Sequence, residues 1–260
     1  MRFEGRVALV AGASRNLGKS IAYRYGKEGG SVIINAASSA GALEAAAEEF
    51  RAEGIRVLPV MADITDKAQV DEMVARGIGE FGKIDHLIIS ARLNGRLMRF
   101  GLPFFEVTKH DWLAMQAGAL STLFLLQAVL PGMVARRDGA VLAVGGQDLG
   151  LPGANRYTKP PGFYARNRPE LLRYVQRNFG QYNIRVNLIQ PGVMDTSRNP
   201  ENYPDSPGGL PQFDPVALSR VPLGRPGSPD ELASVALFLL SEEASYITGA
   251  TVPVNGGRDL

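Results

Sequence analysis

V-A-L-V-A-G-A-S-R-N-L-G-K-S-I-A, Val7 to Ala22, decides the fold of this chain. Val7 to Val10 are apolar and short enough for a buried strand, Gly12 and Gly18 bracket a tight turn, and Lys19 onward follows a helical pattern. A strand, a glycine turn and a helix start together make a phosphate site. The helix end presents unpaired N–H groups and a partial positive charge, and glycine lets the backbone approach a pyrophosphate. Two glycines in a loop mean little alone; directly after an apolar strand they mean much more.

Outward from that unit, apolar runs and helical patterns alternate. The pattern predicts strands near 6–11, 31–35, 55–61, 84–90, 139–145, 184–190 and 251–254. It predicts helices near 18–28, 40–53, 66–80, 110–135, 169–180 and 229–240. Such alternation implies a Rossmann-type α/β fold: a doubly wound parallel sheet of seven strands, with helices on both faces. Residues 1–260 read as a single dinucleotide-binding domain, large enough for a substantial core at 45% hydrophobic composition. Ser228, Pro229 and Glu231 supply the start chemistry of the last helix.

Composition excludes several function classes. There is no cysteine, hence no disulfide, thiolate metal site or cysteine nucleophile, and no metal is expected. The formal net charge of +2 carries no basic arm or acidic tail for nucleic acid. The chain enters its first strand with no apolar leader, and the apolar stretch Ala119 to Leu130 stops at Pro131, too short for a bilayer. The expectation is a cytoplasmic protein with no membrane partner.

The turn spacing, with Asn16 between the glycines, resembles the short-chain dehydrogenase/reductase family, whose usual form is T-G-x-x-x-G-x-G. Ala11 stands for the threonine and Asn16 for the middle glycine. The resemblance continues through A-D-I-T (Ala62 to Thr65), K-I-D-H-L-I-I-S-A-R (Lys83 to Arg92), I-R-V-N-L-I-Q-P-G-V-M-D-T (Ile184 to Thr196) and the C-terminal P-L-G-R-P-G-S-P-D-E-L-A and I-T-G-A-T-V-P-V-N-G-G. It implies a nicotinamide nucleotide on Gly12, Ser14, Arg15, Asn16, Leu17, Gly18, Ser38, Asp63, Ile64, Ser90, Ala91, Pro191, Gly192, Val193 and Thr196. Residues 193–220, rich in Pro, Gly and Asn from Asn199 to Pro215, fall where the family places a mobile substrate lid.

Cofactor choice turns on the end of the second strand, where an acid would hold the ribose hydroxyls of NAD. N-A-A-S-S, Asn35 to Ser39, has none, while Arg15 with Ser38 and Ser39 would bind a 2′-phosphate. The expectation is NADP(H) rather than NAD(H). The bland alternative leaves Arg15 in solvent and the serines capping the next helix. Asp63 likewise fits either an adenine contact or a helix cap.

At the catalytic end this chain departs from the family, which uses a tyrosine acid, a lysine four residues on, an orienting serine and a relay asparagine. Gly145 and Gly146 replace the serines of I-S-S, and Ala119 replaces the asparagine. Counting back from Val186 and Asn187 puts the tyrosine at Pro161 and the lysine at Ala165. K-P-P-G-F-Y-A-R-N-R-P-E, Lys159 to Glu170, disfavours a continuous helix there, and Pro169 suits a first helical turn. Arg92 stands where a glycine lets the nicotinamide approach.

The expectation is an NADP(H)-dependent oxidoreductase on an unidentified small carbonyl or alcohol, with a relocated acid among Tyr157, Lys159 and Tyr164, and with Arg92 either binding an anionic substrate or blocking the nicotinamide ring. One alternative is an inactive cofactor-binding protein, partner to a homologous active subunit. A third is a non-redox enzyme, since Tyr164 and Arg168 have the spacing of the family's halohydrin dehalogenase relatives. Gln147 and Asp148 are further polar candidates, whereas His86, His110 and Trp112 read as structural. Leu120, Leu123, Leu126, Leu130 and Met133 exceed one core face, which predicts a homodimer or homotetramer.

Overall fold

The computed structural model describes residues 1–91, 104–106, 108–145, 167–196 and 218–258. Its strands are β1 (Val7–Ala11), β2 (Ser31–Ala36), β3 (Val57–Met61), β4 (His86–Ile89), β5 (Gly139–Val144), β6 (Ile184–Pro191) and β7 (Thr251–Val254). They form one parallel sheet in the order β3-β2-β1-β4-β5-β6-β7, as the alternating pattern predicts. The principal helices are α1 (Asn16–Lys27), α2 (Ala40–Ala52), α3 (Lys67–Phe81), α4 (Lys109–Arg136), α5 (Asn167–Phe179) and α6 (Pro229–Leu240).

The side-chain alternation of the strands divides the core in two. Ala8, Val10, Val32, Ile34, Ile88 and Leu142 pack under α1, α2 and α6. Val7, Leu9, Ile33, Leu87 and Val141 pack under α3, α4 and α5. The strand order reverses between β1 and β4, so the crevice outside the C-terminal ends of these strands is the place where such sheets bind ligands.

Helix α4 corrects two expectations. It runs through Pro131, which lies exposed inside it, to Arg136. The segment Gln116–Arg136 is long and apolar enough by composition to cross a membrane, with a mean hydropathy of 1.7. Yet Leu125, Leu126, Val129, Leu130 and Met133 are buried against the sheet. Leu126, Leu130 and Met133 therefore serve the chain's own core rather than an outer surface. Leu113 and Leu120 remain exposed on α4, and Tyr174 on α5.

Candidate functional site

The glycine turn sits at the C-terminal end of β1 and is tied to the end of β2. The amides of Gly12 and Ala13 both donate to the Asn35 carbonyl, at 3.1 and 2.9 Å. Gly12 has φ +80, and a Cβ there would lie 2.4 Å from the Ala91 Cα. A Cβ on Gly18 would lie 2.1 Å from the Gly12 carbonyl oxygen. Both glycines are thus required by backbone packing before any ligand arrives. Asn16 takes φ 51, so the residue in place of the middle glycine keeps the left-handed backbone, which asparagine tolerates. Ser14 is half-buried, and Leu17 anchors the turn against the first core.

Arg15 is the N-cap of α1 and makes no side-chain cap, so this helix start lacks the side-chain partner seen elsewhere in the chain. Asp66 caps α3, and Ser228 with Glu231 forms a capping box on α6. Arg15 instead reaches across, its Nη2 donating to the Ser39 Oγ at 2.9 Å. Ser38 is exposed beside it. Asn35 is buried, and its amide donates to the Val60 and Ala62 carbonyls at 3.2 and 3.0 Å, bracing the β2 end against β3. That bracing role escaped the sequence reading, which saw only the lack of an acid. An uncapped helix start with an arginine and a serine beside it, and no acid in its first turn, fits a phosphorylated nucleotide.

Ser90 and Ala91 adjoin this turn from β4: the Ser90 amide donates to the Ala11 carbonyl at 3.0 Å. Asp63 is exposed, and its Oδ1 accepts from the amide and hydroxyl of Thr65 at 2.9 and 2.7 Å. It does not cap α3. The neighbouring Ile64 side chain is buried in the second core. Further along the edge, Pro191 pairs with Val254, and the Gly192 amide donates to the Val254 carbonyl at 2.9 Å. A Cβ on Gly192 would lie 2.5 Å from the Asn255 Cα. The Val193 carbonyl accepts from Gly227, Met194 bridges to Gly227, and Thr196 is half-buried. The sheet thus brings the glycine turn, Ser90 and Ala91 together, with the segment 191–196 on the same edge beyond β5.

Strand β5 ends at Val144, followed by Gly145 with φ +146. Beside it lies Arg168, in the first turn of α5, a residue the sequence reading weighed only as a spacing partner of Tyr164. Its Nη2 donates to the Ile89 carbonyl at 2.9 Å, and its Nη1 would lie 3.2 Å from a Cβ on Gly145. Its Nε is buried without a hydrogen-bond partner. Burial lowers the guanidinium from its ordinary value to about 10. The available signal was Gly145 after β5, which leaves room for a large side chain, and Pro169, which lies in the first turn of a helix as expected.

Arg92, Gln147, Asp148, Tyr157, Lys159 and Tyr164 lie outside the described residues, as does most of the expected lid. Ala119 is half-buried in α4. His110 lies exposed in the first turn of α4, and His86 is a core residue whose Nδ1 is 2.7 Å from the Tyr25 Oη.

Comparison with known proteins agrees with this geometry. The family described as Enoyl-(Acyl carrier protein) reductase matches residues 12–259. The chain is 32% identical over 263 residues to the 3-oxoacyl-acyl-carrier-protein reductase FabG of Thermotoga maritima, with 99% of each chain covered. It is also 32% identical over 263 residues to BbsD of Thauera aromatica, a subunit of a hydroxy(phenyl)methylsuccinyl-CoA dehydrogenase, with 100% of this chain and 99% of that one covered. A solved short-chain dehydrogenase/reductase from Serratia marcescens superposes with a TM-score of 0.82 at 27% identity, over 100% of both chains. With the parallel seven-stranded sheet and the glycine turn at its switch point, these matches make the chain a member of the short-chain dehydrogenase/reductase family of oxidoreductases.

Proposed function

We propose that the chain binds NADP(H) and acts as an oxidoreductase on a small carbonyl or alcohol, through a catalytic end built differently from its family's. The observation that carries this reading is Arg15 on Ser39, 2.9 Å apart, beside the uncapped start of α1 and a β2 end without an acid. Gly12, Ser14, Asn16, Leu17 and Gly18 shape the phosphate turn. Arg15 and Ser39, with Ser38 close by, receive the 2′-phosphate. Asp63 and Ile64 border the adenine, Ser90 and Ala91 the ribose, and Pro191, Gly192, Val193 and Thr196 the nicotinamide end. When bound, the nicotinamide supplies hydride chemistry. Segment 193–220 covers the substrate, and the protein works in the cytoplasm as a homodimer or homotetramer.

NADP(H) is expected to bind more tightly than NAD(H), and Arg15→Ala to remove most of that preference, about 1.5–3 kcal/mol for a charge-assisted contact. Isothermal calorimetry with both cofactors checks this; equal affinities in the native protein would overturn it.

A second reading, an inactive cofactor-binding partner of an active homologous subunit, has its own support. Gly145 stands where the family's serine would orient a carbonyl, and one relative is itself named as a subunit. Turnover of simple ketones at ordinary family rates would exclude it.

A further inference from the structure

We propose that Arg168 is the receptor for a carboxylate-bearing substrate, held outside the C-terminal ends of β4 and β5. The inference rests on the reading of this crevice as the substrate end of a nucleotide site and names the class of substrate it takes.

Three observations carry it. The first is the unmatched charge. A guanidinium has five N–H donors, yet among the described residues Arg168 makes a single hydrogen bond, from Nη2 to the Ile89 carbonyl at 2.9 Å. Its Nε is buried without a partner, and no carboxylate among the described residues pairs with it. A buried cation without an anion is costly to the fold on its own, and an arriving anion compensates it. The second is room made for it. Gly145 directly follows β5, and a Cβ there would press to 3.2 Å from Nη1, so the glycine lets the guanidinium lie across the strand ends. The third is place. Ile89 is the last residue of β4, next to β1 and its glycine turn, so the fork sits in the ligand crevice and not in the packed interior.

The charge selects the ligand. A single guanidinium matches a monoanion, whereas a phosphate dianion would leave excess negative charge in a buried position. The planar fork matches a planar carboxylate, and the rest of the donor set stays available for it. Ile89 fixes the orientation of the fork from behind, so the receptor is pre-organised and little side-chain freedom is lost on binding.

The test uses the full chain and compares 2-oxobutyrate with its neutral analogue 2-butanone, at matched ionic strength, by calorimetry with and without NADP(H). The carboxylate is expected to bind at least tenfold more tightly than the ketone. Arg168→Gln should abolish that difference while leaving NADP(H) affinity within about twofold. Arg168→Lys should retain part of it, and Gly145→Ser should weaken it by crowding Nη1. If any of these variants fails to fold, the carboxylate–ketone comparison on the native protein still decides. Equal binding of the two probes, or undiminished carboxylate binding by a folded Arg168→Gln, overturns the proposal. So does competition by chloride that matches the carboxylate, which would make this a halide site. Loss of NADP(H) binding in Arg168→Gln with carboxylate binding intact would assign the guanidinium to the cofactor instead. If carboxylate binds and NADP(H) does not, the receptor stands and the cofactor reading falls.

Discussion

His86 and Tyr25 are two polar side chains inside the first core layer, and each supplies the other's hydrogen bond at 2.7 Å. Burial pushes the Tyr25 hydroxyl well above its ordinary range, with the nearby Asp85 carboxylate adding to the shift. Burial also lowers His86 to about 3, with the cations Arg6 and Arg185 acting in the same direction. The native imidazole is therefore neutral, while in the unfolded chain it titrates near 6.5. Between those values the unfolded state binds a proton that the native state does not, so stability falls as the pH drops through that window. At pH 5 the loss should be about 2 kcal/mol from this residue. Urea unfolding at pH 7 and pH 5 checks it: His86→Gln should remove most of the pH-dependent difference. An unchanged difference would refute the assignment.

Among the elements, helix ends separate structural work from binding work. Helix α6 begins on a reciprocal box, with the Glu231 amide donating to the Ser228 Oγ and the Ser228 amide to the Glu231 carboxylate. These are local contacts and are legible in S-P-D-E. Its C-terminal end is satisfied from a distance. Arg185, on β6, donates to the carbonyls of Leu239, Leu240 and Ser241 at 2.6, 3.0 and 3.0 Å. The Leu239 and Leu240 carbonyls have no continuing α-helix to bond, and the Ser241 carbonyl accepts also from the Ala244 amide at 3.2 Å, so Arg185 closes the end and joins it to the sheet. Arg185→Met should lower stability by about 2–3 kcal/mol, the scale for losing hydrogen bonds from a charged donor. Arg185→Lys should recover only part, because an ammonium lacks the planar fork. Denaturant midpoints for the two variants measure it, and equal stability of Arg185→Met and native protein would contradict it.

At the scale of the whole molecule, exposed apolar groups point to assembly. Leu113 is 57% exposed, Leu120 41% and Tyr174 61%, on two helices that pack side by side on one face of the sheet. Contiguous exposed apolar patches mark interaction surfaces, and the outer side of this helix pair is where we propose one. Light scattering of the native protein at micromolar concentration should report a dimer or tetramer, and the double variant Leu120→Glu, Tyr174→Glu should shift it toward monomer. A native monomer under those conditions would remove the assembly from the proposed function.

Much of this was legible in order along the chain. The predicted strands and helices lie close to the observed ones because periodicity, glycines, prolines and caps act over a few residues. The glycine turn was equally legible, and at Asn16 the structure shows the left-handed backbone that asparagine tolerates. Asp63 was open between an adenine contact and a cap, and the cap of α3 falls to Asp66; the leucines Leu126 and Leu130 and Met133, read as surplus to one core face, point inward. What a local pattern could not contain was which polar groups meet. Arg168 finds Ile89 across 79 residues, and Arg185 finds the end of α6 across more than 50. The sequence by itself determined the parallel sheet and the glycine turn, because each is written within a short stretch. Only the tertiary structure decided that a buried guanidinium stands beside Gly145, because that contact exists only once the strand order has brought β4, β5 and the start of α5 together.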